Sequence, residues 1–245
     1  MSEPTRHIEV VMLLIFTGIG LFFISCGKDT GEIVTRDVEL SRFDTLELNA
    51  VFDVEIIEGD HYSLQIKGVK ELTDDLTFMT DHNRLRVENK NLKLWIHPKN
   101  DPPVLTITCI GLARIEVNET CNIKSLNTIT TDTFGILLGG KLNFADLTLD
   151  CNLFYYWNSS PNGGLLSLKG KSQLVGIYNS NLMAVDASQL ICDLATVENG
   201  SKAGIHVFVR KKLDYSISGT GNIYLMGNPD EIVAHRLSST GRLIQ

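Results

Sequence analysis

Ile177-Tyr-Asn-Ser-Asn181, Val197-Glu-Asn-Gly-Ser201 and Ile217-Ser-Gly-Thr-Gly221 stand twenty residues apart, and each is an apolar residue followed by a turn-forming tetrad. The pattern extends back through Trp157, Leu138 and Val117 and forward to Leu237, with spacings of 21, 19, 20, 20, 20 and 20 along the seven positions. A unit of this size, holding two or three short strands, cannot bury a face by itself. Such units stack, each hydrogen-bonded to the next. The expected fold is therefore all-β, a right-handed parallel β-helix (β-solenoid) with coils of about 20 residues, because crossovers between parallel strands are right-handed. Equivalent positions on successive coils lie about 4.8 Å apart, so the seven apolar residues should form one inward ladder with their neighbours pointing out. An antiparallel sandwich also gives short strands and turns, but it does not impose one period on one inward position.

The rest of the chain agrees. Thr45-Leu-Glu-Leu, Val54-Glu-Ile-Ile, Ser63-Leu-Gln-Ile-Lys, Arg84-Leu-Arg-Val-Glu and Leu92-Lys-Leu-Trp-Ile alternate apolar with polar residues, the period of a strand with one buried face. Glu58-Gly59-Asp60 and Asn89-Lys90-Asn91 separate them as turns. Val69 to Phe78 is the nearest approach to helical periodicity, and Thr73-Asp74-Asp75 in its middle limits it to one or two turns. A chain of 245 residues, 43% hydrophobic, can fill the core of one large β domain.

The amino terminus carries an address. Arg6 and His7 precede an almost uncharged run from Val10 to Ile24, which stops at Ser25-Cys26-Gly27. The run is shorter than the roughly 20 residues of a membrane span and ends in small residues, so it reads as a signal peptide. Phe23-Ile24-Ser25-Cys26 resembles a bacterial lipobox, with Phe23 where Leu is usual, and the resemblance implies that Cys26 is acylated and becomes the new amino terminus. The expected organisation is a lipoprotein signal peptide over 1–25, a lipidated Cys26 and tether over 26–32, and a β-solenoid over 33–245. An uncleaved anchor or an ordinary secretory signal are the alternatives. Each puts the domain outside the cytoplasm, with lipid attachment to the outer membrane the expected placement and periplasmic versus surface display open. Cleavage removes one basic and two acidic residues from 22 and 29, leaving a net charge of −6. That balance argues against nucleic acid as the partner.

Candidate chemistry concentrates in Phe154-Tyr-Tyr-Trp-Asn158. If Tyr155 and Trp157 face inward with the ladder, Phe154 and Tyr156 face outward, Tyr156 beside Gly176 of the next coil. Tyr156, Asn158, Tyr178 and Glu198 then form a candidate binding surface, aromatic area beside hydrogen-bonding groups, suited to stacking and hydroxyl recognition of a sugar; packing beneath a loop is the plainer reading. Enzymes on β-helices need carboxylates or a calcium cluster projecting from neighbouring coils, and beside Glu116 and Glu119 the following coils offer no acidic partner. Histidines 7, 61, 82, 97, 206 and 235 lack metal-ligand spacing. No metal or cofactor is expected. Cys109, Cys121, Cys151 and Cys192 allow three disulfide pairings; Cys109 and Cys151 lie two coils apart, beyond the reach of a disulfide, and the four read as small buried hydrophobes.

Two stretches carry a wider resemblance. Phe43-Asp-Thr-Leu-Glu-Leu-Asn-Ala-Val-Phe-Asp-Val-Glu-Ile-Ile-Glu-Gly-Asp60 and Leu213-Asp-Tyr-Ser-Ile-Ser-Gly-Thr-Gly-Asn-Ile-Tyr-Leu-Met-Gly-Asn-Pro229 are similar to the opening and to the Ser-Gly-x-Gly, strand, Gly-x-Pro motif of the auto-transporter adhesin head GIN domains of secreted bacterial lipoproteins. Cys109-Ile-Gly-Leu112 replaces that family's usual Pro-x-Leu. The resemblance implies a right-handed parallel β-helix and an envelope location. Joined to the residues above, it yields the expectation of a non-catalytic, lipid-anchored adhesin or binding module for a glycan or protein. A periplasmic structural or sensing element with a protein partner, or a carbohydrate-active β-helix enzyme, are the alternatives.

Overall fold

The computed structural model of the protein describes residues 31–90, 101–158 and 161–245. The expected signal peptide, Cys26 and most of the expected tether lie outside the described residues, as does the strand expected at Leu92 to Ile96.

Strands begin at the amino-terminal end with β1 (Ile33–Glu39), β2 (Thr45–Leu48), β3 (Phe52–Glu58) and β4 (Ser63–Val69). A single helical turn, α1 (Lys70–Thr73), leads to β5 (Leu76–Asp81), β6 (Arg84–Asn89), β7 (Val104–Cys109), β8 (Arg114–Val117) and β9 (Cys121–Ser125). Then come β10 (Ile129–Leu138), β11 (Leu142–Trp157), β12 (Gly163–Asn179), β13 (Leu182–Asn199), β14 (Ile205–Ile217), β15 (Ile223–Met226), β16 (Glu231–Leu237) and β17 (Leu243–Ile244). From β8 on, every pairing is parallel, and the chain winds as a β-solenoid of about six turns.

One face of the stack runs β5, β6, β2, β8 and then the carboxy-terminal ends of β10 to β14, closing on β16. A second runs β1, β4, β7, β3, β9 and the amino-terminal ends of β11 to β14, closing on β15 and β17. The middles of β11 to β13 make the third. These long strands turn corners without leaving the ladder, and at one corner Gly170 has a φ of +104° and lies where a Cβ would meet the Leu149 carbonyl oxygen, so only glycine fits. At the amino-terminal end β1 pairs antiparallel with β4, β4 with β7 and β5 with β6. That antiparallel cap gives the first coil a finished edge.

The twenty-residue period marks true coils, but it does not mark one ladder. Ile115, Ile136, Tyr156, Ile177, Val197 and Tyr215 are register partners in sequence along the stack. A second inward row runs two residues further on, pairing Val117 with Leu138, Asn179 with Asn199, and Asn199 with Ile217. Ile177 and Val197 belong to the first row; Val117, Leu138 and Ile217 belong to the second, and Leu237, in register with Ile217 on the last coil, is 60% exposed and so is not an inward position. Trp157 belongs to neither and points out, 53% exposed. Along the first row the coil lengths are 21, 20, 21, 20 and 18. A uniform twenty therefore drifts by one residue at Trp157, which reverses the face, and by two at Ile217, which preserves it.

Between Leu138 and Ile217 the second row is asparagine. Asn158, Asn179 and Asn199 are all buried, and each spends its amide on the turn that follows it. Asn158 donates to Asn162 Oδ1 at 2.8 Å and to Asn179 Oδ1 at 3.2 Å, Asn179 to the Met183 carbonyl at 2.7 Å, and Asn199 to the Ala203 and Gly221 carbonyls at 3.1 Å. Ser180 N and Ser201 N return bonds of 3.0 Å to Asn158 Oδ1 and Asn199 Oδ1. A tight corner leaves backbone groups inside the coil without ladder partners, and these side chains supply them. All four described cysteines are free and buried, and desolvation pushes the thiols of Cys109, Cys121 and Cys192 up to about 12, which leaves them un-ionised and inert.

Candidate functional site

The outward residues of the first face form columns, because strand residues two apart share a side. One column runs Arg86, Glu47, Glu116, Leu137, Trp157, Tyr178, Glu198, Ser216 and Arg236. Its first third is an ion network. Arg84 donates to Glu47 at 3.0 Å and to Glu116 at 2.6 Å, Arg86 to Glu47 at 3.1 Å, and Arg114 pairs with Glu116 at 2.7 Å. Burial raises the Glu47 pKa, but bonds from Asn49, Arg86 and Arg84 outweigh it and hold the carboxyl below the ordinary glutamate range. Charges satisfied in this way are structural.

The middle of the column is aromatic. Trp157 lies beside Tyr178 in register, with exposures of 53% and 39%. Tyr155, two residues before Trp157 and half-buried, lies between Gly135 and Gly176 of the flanking coils. Those glycines make room for the rings: a Cβ on Gly135 would sit 2.0 Å from Tyr155 Cζ, and one on Gly176 would sit 3.3 Å from Tyr178 Cε2. The result is a cluster of three aromatic side chains on the outer side of the first face. It opens into a groove of about 750 Å3 lined by Tyr155, Trp157, Tyr178, Glu198, Ser216 and Arg236 among others.

This arrangement corrects the surface expected from sequence. Tyr156 is 0% exposed and Asn158 is 2% exposed, both inside the coil, while Tyr178 and Glu198 are outside. Phe154 is also buried, stacked on Phe134 with ring centroids 6.4 Å apart. The neighbour of Gly176 is Tyr155, and that of Tyr156 is Ile177. Every residue from Phe154 to Asn158 faces opposite to the reading that puts Trp157 in the ladder. Trp157, Tyr155, Ser216 and Arg236 were therefore missed. The signal that finds them is the asparagine row: Asn158, Asn179 and Asn199 recur at 21 and 20, and if they face in, the residues just before them, Trp157, Tyr178 and Glu198, all face out.

A second concavity, of about 550 Å3, lies on the second face and includes Phe144, Leu165, Glu55, Lys124 and Asp146. Its carboxylates all have partners: Glu55 pairs with Lys124 at 2.8 Å, Asp146 pairs with Lys169 at 2.9 Å, and Asp53 accepts a hydrogen bond from Asn122 at 2.7 Å. By contrast, Glu198 and Arg236 in the aromatic groove make no ion pair or side-chain hydrogen bond among the described residues. Unspent charge beside exposed rings marks the first face as the better candidate. Among the described residues no group of three or more His, Cys, Asp or Glu could hold a metal ion.

The family model described as "Putative auto-transporter adhesin, head GIN domain" matches residues 42–229. The chain belongs to this family. No curated protein matches it. Among solved structures it is similar to a "putative adhesin" from Bacteroides fragilis, at 18% identity and a TM-score of 0.76, with 86% of this chain and 96% of that one covered. A "putative adhesin" and a "Putative lipid binding protein" from Parabacteroides distasonis are each 14% identical, with TM-scores of 0.61 and 0.59, covering 88% of this chain and 98% of theirs. At these identities the likeness is one of fold. The family's adhesin description agrees with a protein of the cell envelope or surface.

Proposed function

We propose that this head GIN domain protein is a non-catalytic adhesin of the cell envelope, anchored by lipid at Cys26, that holds a glycan in the groove around Trp157 and Tyr178. The observation that carries the reading is the column itself: two solvent-facing rings, adjacent across a parallel ladder, continuous with Glu198 and Arg236, which make no ion pair or side-chain hydrogen bond among the described residues. Sugar rings present an apolar face edged by hydroxyls, which is what such a cluster and its polar continuation would recognise. The outer-membrane placement rests on the lipobox-like Phe23-Ile24-Ser25-Cys26.

A glycan array on the wild-type domain, repeated with Trp157→Ala/Tyr178→Ala, tests the reading. Each stacking contact is worth about 0.5–1.5 kcal/mol, so the double substitution should weaken binding by about ten-fold to a hundred-fold while the melting temperature stays within a few degrees. An array with no bound glycan, or a double variant that binds normally, would overturn it.

A further inference from the structure

The groove's two unpaired charges say which glycan it suits. The column passes from Tyr178 to Glu198, Ser216 and Arg236 in three coil steps, about 14 Å on the ladder spacing. Nearby charges on the same face are consumed locally: Asp214, one column over, is held by Lys212 at 3.4 Å and His235 at 2.9 Å. Arg236 is exposed and its guanidinium makes no ion pair or hydrogen bond among the described residues, at the far end of a strip that starts with exposed rings. A guanidinium left open in this way matches a carboxylate, which it binds with two parallel N–H···O bonds. Glu198 stands two coils away, about 10 Å, near the screening length at physiological salt, so its charge opposes an anion at Arg236 only weakly. Its own carboxylate oxygens are placed to accept hydroxyl hydrogens from the sugar between.

We infer that the groove takes a carboxylated oligosaccharide laid along the solenoid axis, one ring stacked on Trp157 and Tyr178 and a uronate or similar carboxylate paired with Arg236. This rests on the glycan reading above and refines it. The test is titration calorimetry of the whole mature domain with hexamers of galacturonate, mannuronate and hyaluronan, with sialyllactose, and with the methyl ester of each. The acid form of at least one probe should bind about ten-fold or more tighter than its ester, the scale of a hydrogen-bonded charge. Arg236→Gln should remove most of the acid's advantage over the ester, weakening the acid several-fold more than the ester, and Trp157→Ala should weaken both forms alike. Equal affinity of acid and ester, with binding still lost in Trp157→Ala, would overturn the carboxylate inference and leave the glycan reading standing. An acid preference that survives Arg236→Gln would also overturn it. Failure of every acid and ester to bind the wild type would overturn both.

Discussion

Tyr156 and Trp157 are neighbours in the chain and opposites in environment, one fully buried and the other about half exposed. Residue type does not decide between them, since both have an apolar body and a polar tip. The register of the coil decides, and it places Tyr156 between Ile136 and Ile177. Deleting a large buried ring removes packing and leaves a cavity, so Tyr156→Ala should cost about 3–5 kcal/mol, whereas Trp157→Ala, stripping a solvent-facing ring, should cost less than about 1 kcal/mol. Denaturant titration of the two variants measures the contrast. Equal losses would mean that the rings are not divided between core and surface as described.

At the scale of the element, the corner after each first-face strand depends on its asparagine. Sequence marks Asn158, Asn179 and Asn199 as turn residues, and they are, but from inside the coil, where each closes the next corner. The period was legible because every coil repeats its corner chemistry; the face was not, because coils of 18, 20 and 21 residues differ from their mean by one or two, and one residue reverses a strand. The antiparallel cap was hidden for a related reason: β4 and β5 alternate apolar and polar residues as the parallel strands do. Asn199→Leu removes the partner of the Ser201 N–H and of the Ala203 and Gly221 carbonyls, and each buried group left unpaired costs about 1–3 kcal/mol. A thermal melt should show Asn199→Leu well below the wild type and Lys202→Ala, on the exposed turn, close to it. If both melt alike, the asparagine row is not supporting the corners.

For the whole molecule, the solenoid converts a local repeat into continuous outer columns, so that residues twenty apart in sequence come to share one surface. The column on the first face changes character along its length: arginine and glutamate paired into a network near the amino-terminal end, then rings, then Glu198, Ser216 and Arg236 toward the carboxy-terminal end. The sequence reading reached the all-β solenoid and Tyr178 and Glu198 of the groove, and it missed Trp157 and Arg236 because a column exists only once coil lengths are known. The proposed lipid anchor at Cys26 would set where such a surface works. Cys26→Ala should move the protein from the membrane fraction to the soluble fraction, and the wild type should carry acyl mass on its amino-terminal peptide; retention of the variant on membranes together with an unacylated wild type would contradict anchoring.

The groove itself can be watched through one of its own residues. The chain has two tryptophans, Trp95 and Trp157, so a Trp95→Phe variant leaves Trp157 as the sole indole reporter in the cluster. In the free protein its emission should be that of a solvent-exposed indole and should be quenched readily by acrylamide, and saturating oligosaccharide should shift the emission to the blue and cut the quenching several-fold. An indole already shielded in the free protein, or one whose spectrum and quenching do not change while the oligosaccharide is bound, would contradict a binding site built on Trp157 and Tyr178.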